Sequence, residues 1–257
     1  MSFLEHVASC PRLRPRPAAP KTRTVSLFFA ATILLVFTWP GFVGRAPTAT
    51  DIQGPGARGK ELVELPGLDT TRDDFFGSSV AISGTTIIVG SPGVASGTGR
   101  AYVFAKTAGS WHQVAELSVP GTAAGDGFGS SVAISGDTIV VGAPDYANGS
   151  GRAYVFAESR TGWGHAAQLK GRDTDAGDEF CGAVAISSMR LVVGAPAHGA
   201  VAGRAYVFTR TAGSWGQAAE LEGSDTVAGD GFGWSVALSG TNIVVGARGH
   251  SGVLGMD

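Results

Sequence analysis

Cysteine is nearly absent from this chain. Of the two present, Cys10 lies before an apolar segment and Cys181 stands alone after it. The part beyond that segment can therefore form no intramolecular disulfide, and no cysteine follows the segment closely enough to read as a lipid-attachment signal. Charge is sparse as well, at 16% of residues with a net of −2. It is also uneven. Residues 1–60 carry eight Lys/Arg against Glu5 and Asp51, whereas residues 61–257 carry eleven against nineteen Asp/Glu. A mildly acidic domain repels a polyanion, which argues against nucleic acid as a partner. No long Leu/Glu/Lys-rich run occurs, so helix should be scarce beyond the N-terminus. Signatures of catalysis are missing too: there is no Gly-x-Ser-x-Gly elbow, no His-Glu-x-x-His and no phosphate-binding loop.

What is abundant is glycine, with 40 residues, about twice the usual share of roughly 7%. Together with many Val, Ile, Ala and Ser it points to short strands and tight turns. The N-terminus differs. Arg12, Arg14, Arg16, Lys21 and Arg23 precede an apolar core from Leu27 to Phe37, the order of an export signal. The wider run Val25–Val43 is also nearly long enough to span a bilayer, so a cleaved signal peptide and a retained anchor both stay open. Either places residues 61–257 outside the cell, secreted or at its surface, because positive charge keeps the N-terminal end in the cytoplasm. The expected organisation is a basic region (1–24), an apolar signal or anchor segment (25–44), a linker (45–60) and a repeat domain (61–257).

The repeat domain is periodic at 52 residues without insertion or deletion, and such a period dictates the architecture. Phe76, Phe128, Phe180 and Phe232 keep this step, as do Gly90, Gly142, Gly194 and Gly246, and Trp111, Trp163 and Trp215. Each unit reads as four strands. Ser130–Ser135 is small and apolar, and Gly136-Asp137 is a hairpin turn. Thr138–Val141 is a β-branched run suited to burial on both faces, and Gly142-Ala143-Pro144 ends it. Arg152–Ala157 alternates small residues with Tyr154 and Phe156, and Trp163–Leu169 is the fourth strand. The expected fold is all-β, a β-propeller-like array of four-stranded antiparallel blades. Full blades fall at about 76–127, 128–179 and 180–231, with a partial one at 232–257. A solenoid is the rival, though its repeats are usually shorter.

Phe128-Gly129, Ser-Val-Ala and Gly142-Ala143-Pro144 together resemble the FG-GAP repeat, which builds the propellers of integrin α-subunits and of many bacterial surface proteins. The pattern recurs as Phe76-Gly77 with Gly90-Ser91-Pro92. It weakens to Phe180-Cys181 with Gly194-Ala195-Pro196, and to Phe232-Gly233 with Gly246-Ala247-Arg248. The resemblance implies extracellular recognition: adhesion, ligand binding or scaffolding. One feature departs from it. Integrin-type repeats often carry an Asp-rich Ca²⁺ loop between their first two strands. Here that place holds short turns such as Ser83-Gly84-Thr85 and Ser187-Ser188-Met189, with too few oxygens for Ca²⁺.

Several residues could carry chemistry. Asp74, Asp126, Asp178 and Asp230 precede the repeat Phe, and Asp69, Asp173 and Asp225 lie five positions earlier. A cation loop would sit best at Asp173, Asp175 and Asp178. Recurrence in every unit, however, suits turn chemistry, in which Asp accepts from nearby backbone N–H groups. His198 and His250 occupy equivalent positions, where Tyr146 and Val94 stand in the other units, but no third metal ligand repeats with them. Cys181 in a glycine slot reads as a small buried thiol, and the Trp series as blade core. No metal, cofactor or catalytic residue is therefore assigned. Asn148-Gly149-Ser150 is a glycosylation sequon, meaningful in a eukaryote.

By strand parity the loops between second and third strands share one side with the inter-unit Asp loops. These loops (91–98, 143–150, 195–202, 247–254) are also the most variable part of the repeat. Variable loops on a rigid frame suit recognition, so Asp145, Tyr146, Asn148 and His198 are the candidate ligand-binding residues, for a protein or glycan outside the cell. The membrane enters only through the N-terminal segment. A propeller enzyme is the alternative, since Gly151 to Trp163 faintly resembles quinone-cofactor repeats, but these expect an Asp shortly after the Tyr where Phe156 and Ala157 stand. A piece of a larger surface protein is the other. The expected closure is incomplete: three blades, a lone fourth-type strand at Glu61–Leu65, and two strands near Ser235–Ser239 and Asn242–Val245. The third strand missing between them would leave open edges prone to self-association.

Overall fold

The computed structural model describes residues 63–250. The N-terminal basic and apolar segments and the linker, with Glu61 and Leu62, lie outside the described residues. No helix among those described is long and apolar enough to cross a membrane.

Three four-stranded antiparallel sheets and one two-stranded sheet follow each other along the chain. The first holds β1 (Ser79–Ser83), β2 (Thr86–Ser91), β3 (Arg100–Thr107) and β4 (Ser110–Leu117). The second holds β5 (Ser131–Ser135), β6 (Thr138–Ala143), β7 (Arg152–Ser159) and β8 (Gly162–Leu169). The third holds β9 (Ala183–Ser187), β10 (Arg190–Ala195), β11 (Arg204–Thr211) and β12 (Ser214–Leu221). The last pair is β13 (Phe232–Ser239) and β14 (Asn242–Ala247). Each complete sheet is an up-and-down meander in sequence order, because its connections are too short for anything but neighbouring antiparallel pairs. The first hairpin turns through Gly84 or Gly136 at positive φ, 57° and 59°, where a side chain would be strained. At the same place Ser188 adopts φ 53°. Every third-to-fourth strand pair carries a register shift, at Val103/Phe104, Val155/Phe156 and Val207/Phe208, a bulge that adds local twist.

Strand alternation gives each sheet two apolar faces, and consecutive sheets stack through them. From the first sheet Ile88, Ala101, Val103 and Leu117 meet Phe128, Val132, Ile134, Ile139, Val141, Tyr154 and Phe156 of the second. Val140, Ala153, Val155 and Leu169 meet Phe180, Leu191, Val193, Tyr206 and Phe208 in the same way. Val192, Ala205, Val207 and Leu221 meet Phe232, Val236, Leu238, Ile243 and Val245. The repeat phenylalanine is the hub, edge-on to the Tyr and Phe of the third strand: Phe180 lies 5.5 Å from Tyr206 and 6.1 Å from Phe208. Backbones approach at glycine. A Cβ on Gly90 or Gly194 would collide with the carbonyl of Gly129 or Gly233 in the next unit. This is the blade stacking of a propeller.

The array is open among the described residues. Val63–Leu65 forms no strand, a departure from the lone fourth-type strand expected at Glu61–Leu65, because no third strand among the described residues stands beside it to bond. Leu65 packs on the first sheet with Phe76, Ile87, Val89, Tyr102, Phe104 and Trp111, and β13 and β14 form a sheet with no third strand among the described residues. The incomplete ring read from the sequence is thus what the structure shows. Three of the loops after the second strands contain one four-residue helical turn each: Val94–Gly97, Tyr146–Gly149 and His198–Val201.

Candidate functional site

These turns are not ordinary helix. Ala95 and Ser96, Ala147 and Asn148, and Gly199 and Ala200 all have φ between 52° and 60°, the left-handed region. The penalty is about 1–2 kcal/mol for each residue with a Cβ. Val201, β-branched and at φ 65°, is worse still. What offsets the strain is a clamp between units. Left-handed backbone turns the carbonyls toward the next unit, where Gly125 N–H donates to Ser96 O (3.2 Å) and Gly127 N–H to Gly97 O (2.8 Å). The clamp recurs as Gly177 N–H to Asn148 O (3.0 Å) and Glu179 N–H to Gly149 O (2.8 Å). In the third unit Gly231 N–H donates to Val201 O (2.8 Å). The backbone of the variable loops therefore joins blades, and only their outward side chains remain free.

The Asp loops complete the joint. Asp126, Asp178 and Asp230 each accept, through Oδ2, from the N–H three residues earlier, at 2.6, 2.8 and 2.8 Å, and Asp74 does the same with Thr71. This is the turn chemistry expected of them. The second function of these carboxylates came only with the structure. His198 Nδ1 lies 2.7 Å from Asp178 Oδ2 and its Nε2 lies 3.8 Å from Asp173, while Tyr206 donates its hydroxyl to Asp173 Oδ1 at 2.9 Å. Burial, then this bond to Asp173, pushes the Tyr206 phenol well above its ordinary range. His250 repeats the pattern, 3.0 Å from Asp230 and 3.5 Å from Asp225. The hydrogen bond to Asp230 raises the His250 pKa, and the same bond lowers that of Asp230. Among the described residues no group of three or more His, Cys, Asp and Glu is placed to hold a metal.

The four candidate binding residues separate. Asp145 and Asn148 are exposed. Tyr146 packs against the core with its ring 6.5 Å from Tyr154 and under the Arg152 guanidinium at 5.2 Å. His198 is held between Asp173 and Asp178 as above. Cys181 is fully buried at φ 71°, its Sγ directed at the Arg152 carbonyl (2.6 Å), and burial pushes its thiol far up. Trp111, Trp163 and Trp215 pack beside the sheet cores.

Asp145 does line a cavity of about 380 Å³, with Pro144, Glu179, Gly182, Pro196 and Trp234. It is a hollow open to solvent rather than an enclosed pocket. Trp234 and Glu179 are exposed on it. The sequence reading passed over both, although each breaks the repeat. Trp234 stands where other units have Ser78, Ser130 and Gly182, and Glu179 where two have Gly127 and Gly231. Trp234 is stacked by Arg248, whose guanidinium lies 4.3 Å from the ring centre, and Arg248 itself replaces the prolines Pro92, Pro144 and Pro196. The result is an aromatic wall beside two carboxylates. The backbone of Glu179 at its edge is strained (φ 55°).

The sequence model of the FG-GAP repeat matches residues 61–104, 111–156, 163–208 and 215–255. No curated protein matches the chain. Among solved structures, the crystal structure of Saccharomyces cerevisiae Sqt1 is similar at 12% identity over 59% of this chain and 36% of that one, with a TM-score of 0.39. Chaetomium thermophilum Sqt1 is similar at 16% identity over 63% of this chain and 39% of that one, with a TM-score of 0.41. The chain thus spans less than two fifths of either structure.

Proposed function

This chain belongs to the FG-GAP repeat family, and from that premise we propose that it is an exported, secreted or surface-held binding module without catalysis of its own. Its ligand is an extracellular protein or glycan. The observation that carries the reading is the cavity at Asp145, Glu179 and Trp234. A flat aromatic face beside hydrogen-bond acceptors suits sugar rings and the side chains of a protein partner alike. Its walls come from the ends of three successive units, so the rigid stack pre-positions them. The basic-then-apolar N-terminus supports export.

The test is a retention assay. The full-length protein is immobilised and exposed to a glycan panel and to extracellular protein extracts, in parallel with Asp145→Ala and Trp234→Ala. The expected outcome is a retained ligand that both substitutions weaken by about tenfold or more, which corresponds to ~1.4 kcal/mol. Retention unaffected by either would refute this site. Export is tested separately, by locating the mature N-terminus and the protein itself in cell fractions.

A further inference from the structure

The two ends of the array carry complementary faces, and we propose that a second copy of this chain docks head to tail across them. The first sheet presents the face that every later sheet uses to receive its predecessor. Its Val80 and Ile82 are 44% and 63% exposed, whereas their equivalents Val132 and Ile134 are each 8% exposed. The last sheet presents the face that every earlier one uses to meet its successor. Its Val244 is 67% exposed, whereas Ile88, Val140 and Val192 in that position are fully buried. Leu65 covers part of the first face, where Val89, Tyr102 and Phe104 are buried; isolated apolar residues on a surface are ordinary, but two sheet faces left partly open at opposite ends of the described residues are not. Each end repeats a surface that is packed against its counterpart elsewhere in the same chain, so the complement of each end is the other.

The polar parts of the joint agree. Ser79 and Ser131 donate Oγ–H to the carbonyls of Gly129 and Cys181 in the following unit, both at 2.7 Å. In the third unit this position is Ala183, which has no hydroxyl, but the last unit restores Ser235. Ser83 and Ser135 accept the turn N–H of Gly136 and Ser188, at 3.1 and 3.0 Å. Ser239 is the corresponding acceptor in the last unit and Gly84 the corresponding donor in the first. Among the described residues Ser235, Ser239 and Gly84 make none of these bonds. In the head-to-tail pair, Ser235 donates to the Gly77 carbonyl of the second copy, and Ser239 accepts from its Gly84. Gly246 has no carbonyl from a following unit near its would-be Cβ, unlike Gly90, Gly142 and Gly194, so the close backbone approach is also available. Leu65, seated on the first sheet where a preceding unit's last strand would end, leaves β13 and β14 to supply the inner strands of a blade shared between copies. Unlike faces in contact form either a ring or an open chain. Two copies of the described array cover all four of its end faces and stay within the four to eight blades usual for propellers, which a third copy of it would exceed.

The experiment measures the mass of the full-length protein in mild detergent by light scattering. It compares the wild type with Ile82→Glu, which spoils the head, and Val244→Glu, which spoils the tail. The wild type is expected to be a dimer. Each substitution alone should weaken association by about a hundredfold or more, because it buries an unpaired carboxylate. An equimolar mixture of the two variants should regain a one-to-one dimer, since the intact tail of one meets the intact head of the other. Circular dichroism checks that both remain folded, and Ile82→Ser with Val244→Ser replaces any variant that does not. A monomeric wild type overturns the proposal. So does a dimer that only one substitution disrupts, or a mixture that fails to reassociate.

Discussion

Replacing the repeat phenylalanine in turn tests the stacked-sheet energetics directly. Phe180 is fully buried, edge-on to Tyr206 and Phe208 and enclosed by Val140, Val155 and Leu169 of the sheet before it. Truncating such a ring to alanine costs about 3–5 kcal/mol, part transfer free energy and part cavity. Phe76 meets the same two partners at nearly the same distances, 5.5 Å to Tyr102 and 6.3 Å to Phe104. Among the described residues it has only Leu65 where the others have a whole sheet face, and it is partly exposed. Its aromatic pairing, worth about 0.5–1.5 kcal/mol, is retained, but much of the burial is not. Phe76→Ala should therefore cost about half as much, roughly 1.5–2.5 kcal/mol on the same scale. The assay is urea unfolding followed by tryptophan fluorescence, with each variant compared at one protein concentration, since arrays lose stability interface by interface. Equal losses for Phe76→Ala and Phe180→Ala would refute the reasoning, because they would mean that the first sheet's face is as well covered as the third's.

Three further outcomes are expected. Gly194→Ala drives a Cβ into the Gly233 carbonyl and should abolish or severely weaken folding, whereas Gly164→Ala, with nothing within 4 Å of the added carbon, should be neutral or stabilise by about 0.5–1 kcal/mol; thermal unfolding of the pair decides. His250, raised by its bond to Asp230, adds stability that is present below the ordinary imidazole pKa and lost as pH rises through its higher folded value; Asp230, lowered by the same bond, adds stability present above the ordinary carboxylate pKa and lost as pH falls through its lower folded value. Protection of the Gly249 amide relative to its intrinsic exchange rate, which reflects its bond to the Asp230 carbonyl at 2.8 Å, should therefore be greatest between those two ranges, and His250→Ala should flatten the profile. Chelating Ca²⁺ should leave the melting temperature unchanged, because the first hairpin turns hold too few oxygens for the ion; a large fall would assign the Asp loops at 173–178 and 225–230 to a cation.

Much of this protein follows from sequence alone. A strict 52-residue period forces every unit to share one conformation, so the strands, hairpin glycines and interior phenylalanines of one unit predict those of the rest. Alternation in strands such as Arg152–Ser159 already marks two buried faces. What periodicity cannot reveal is what each copy meets. Val80 and Val132 are the same residue with different exposures, because burial depends on the neighbouring sheet and the first unit lacks one among the described residues. Nor could sequence show that the variable loops spend their backbone on clamping the next unit. The positive φ of Ala95, Ser96, Ala147 and Val201 is disfavoured locally and persists only because hydrogen bonds from another unit hold it. His198 was visible as a loop residue, but its place between Asp173 and Asp178 depends on a turn and a strand end brought together in space. Trp234, Glu179 and Arg248 were legible as breaks in the repeat. That Trp234 and Glu179 line one cavity, with Arg248 stacked on Trp234, was decided by the stacking of three units, a long-range arrangement that no single unit encodes.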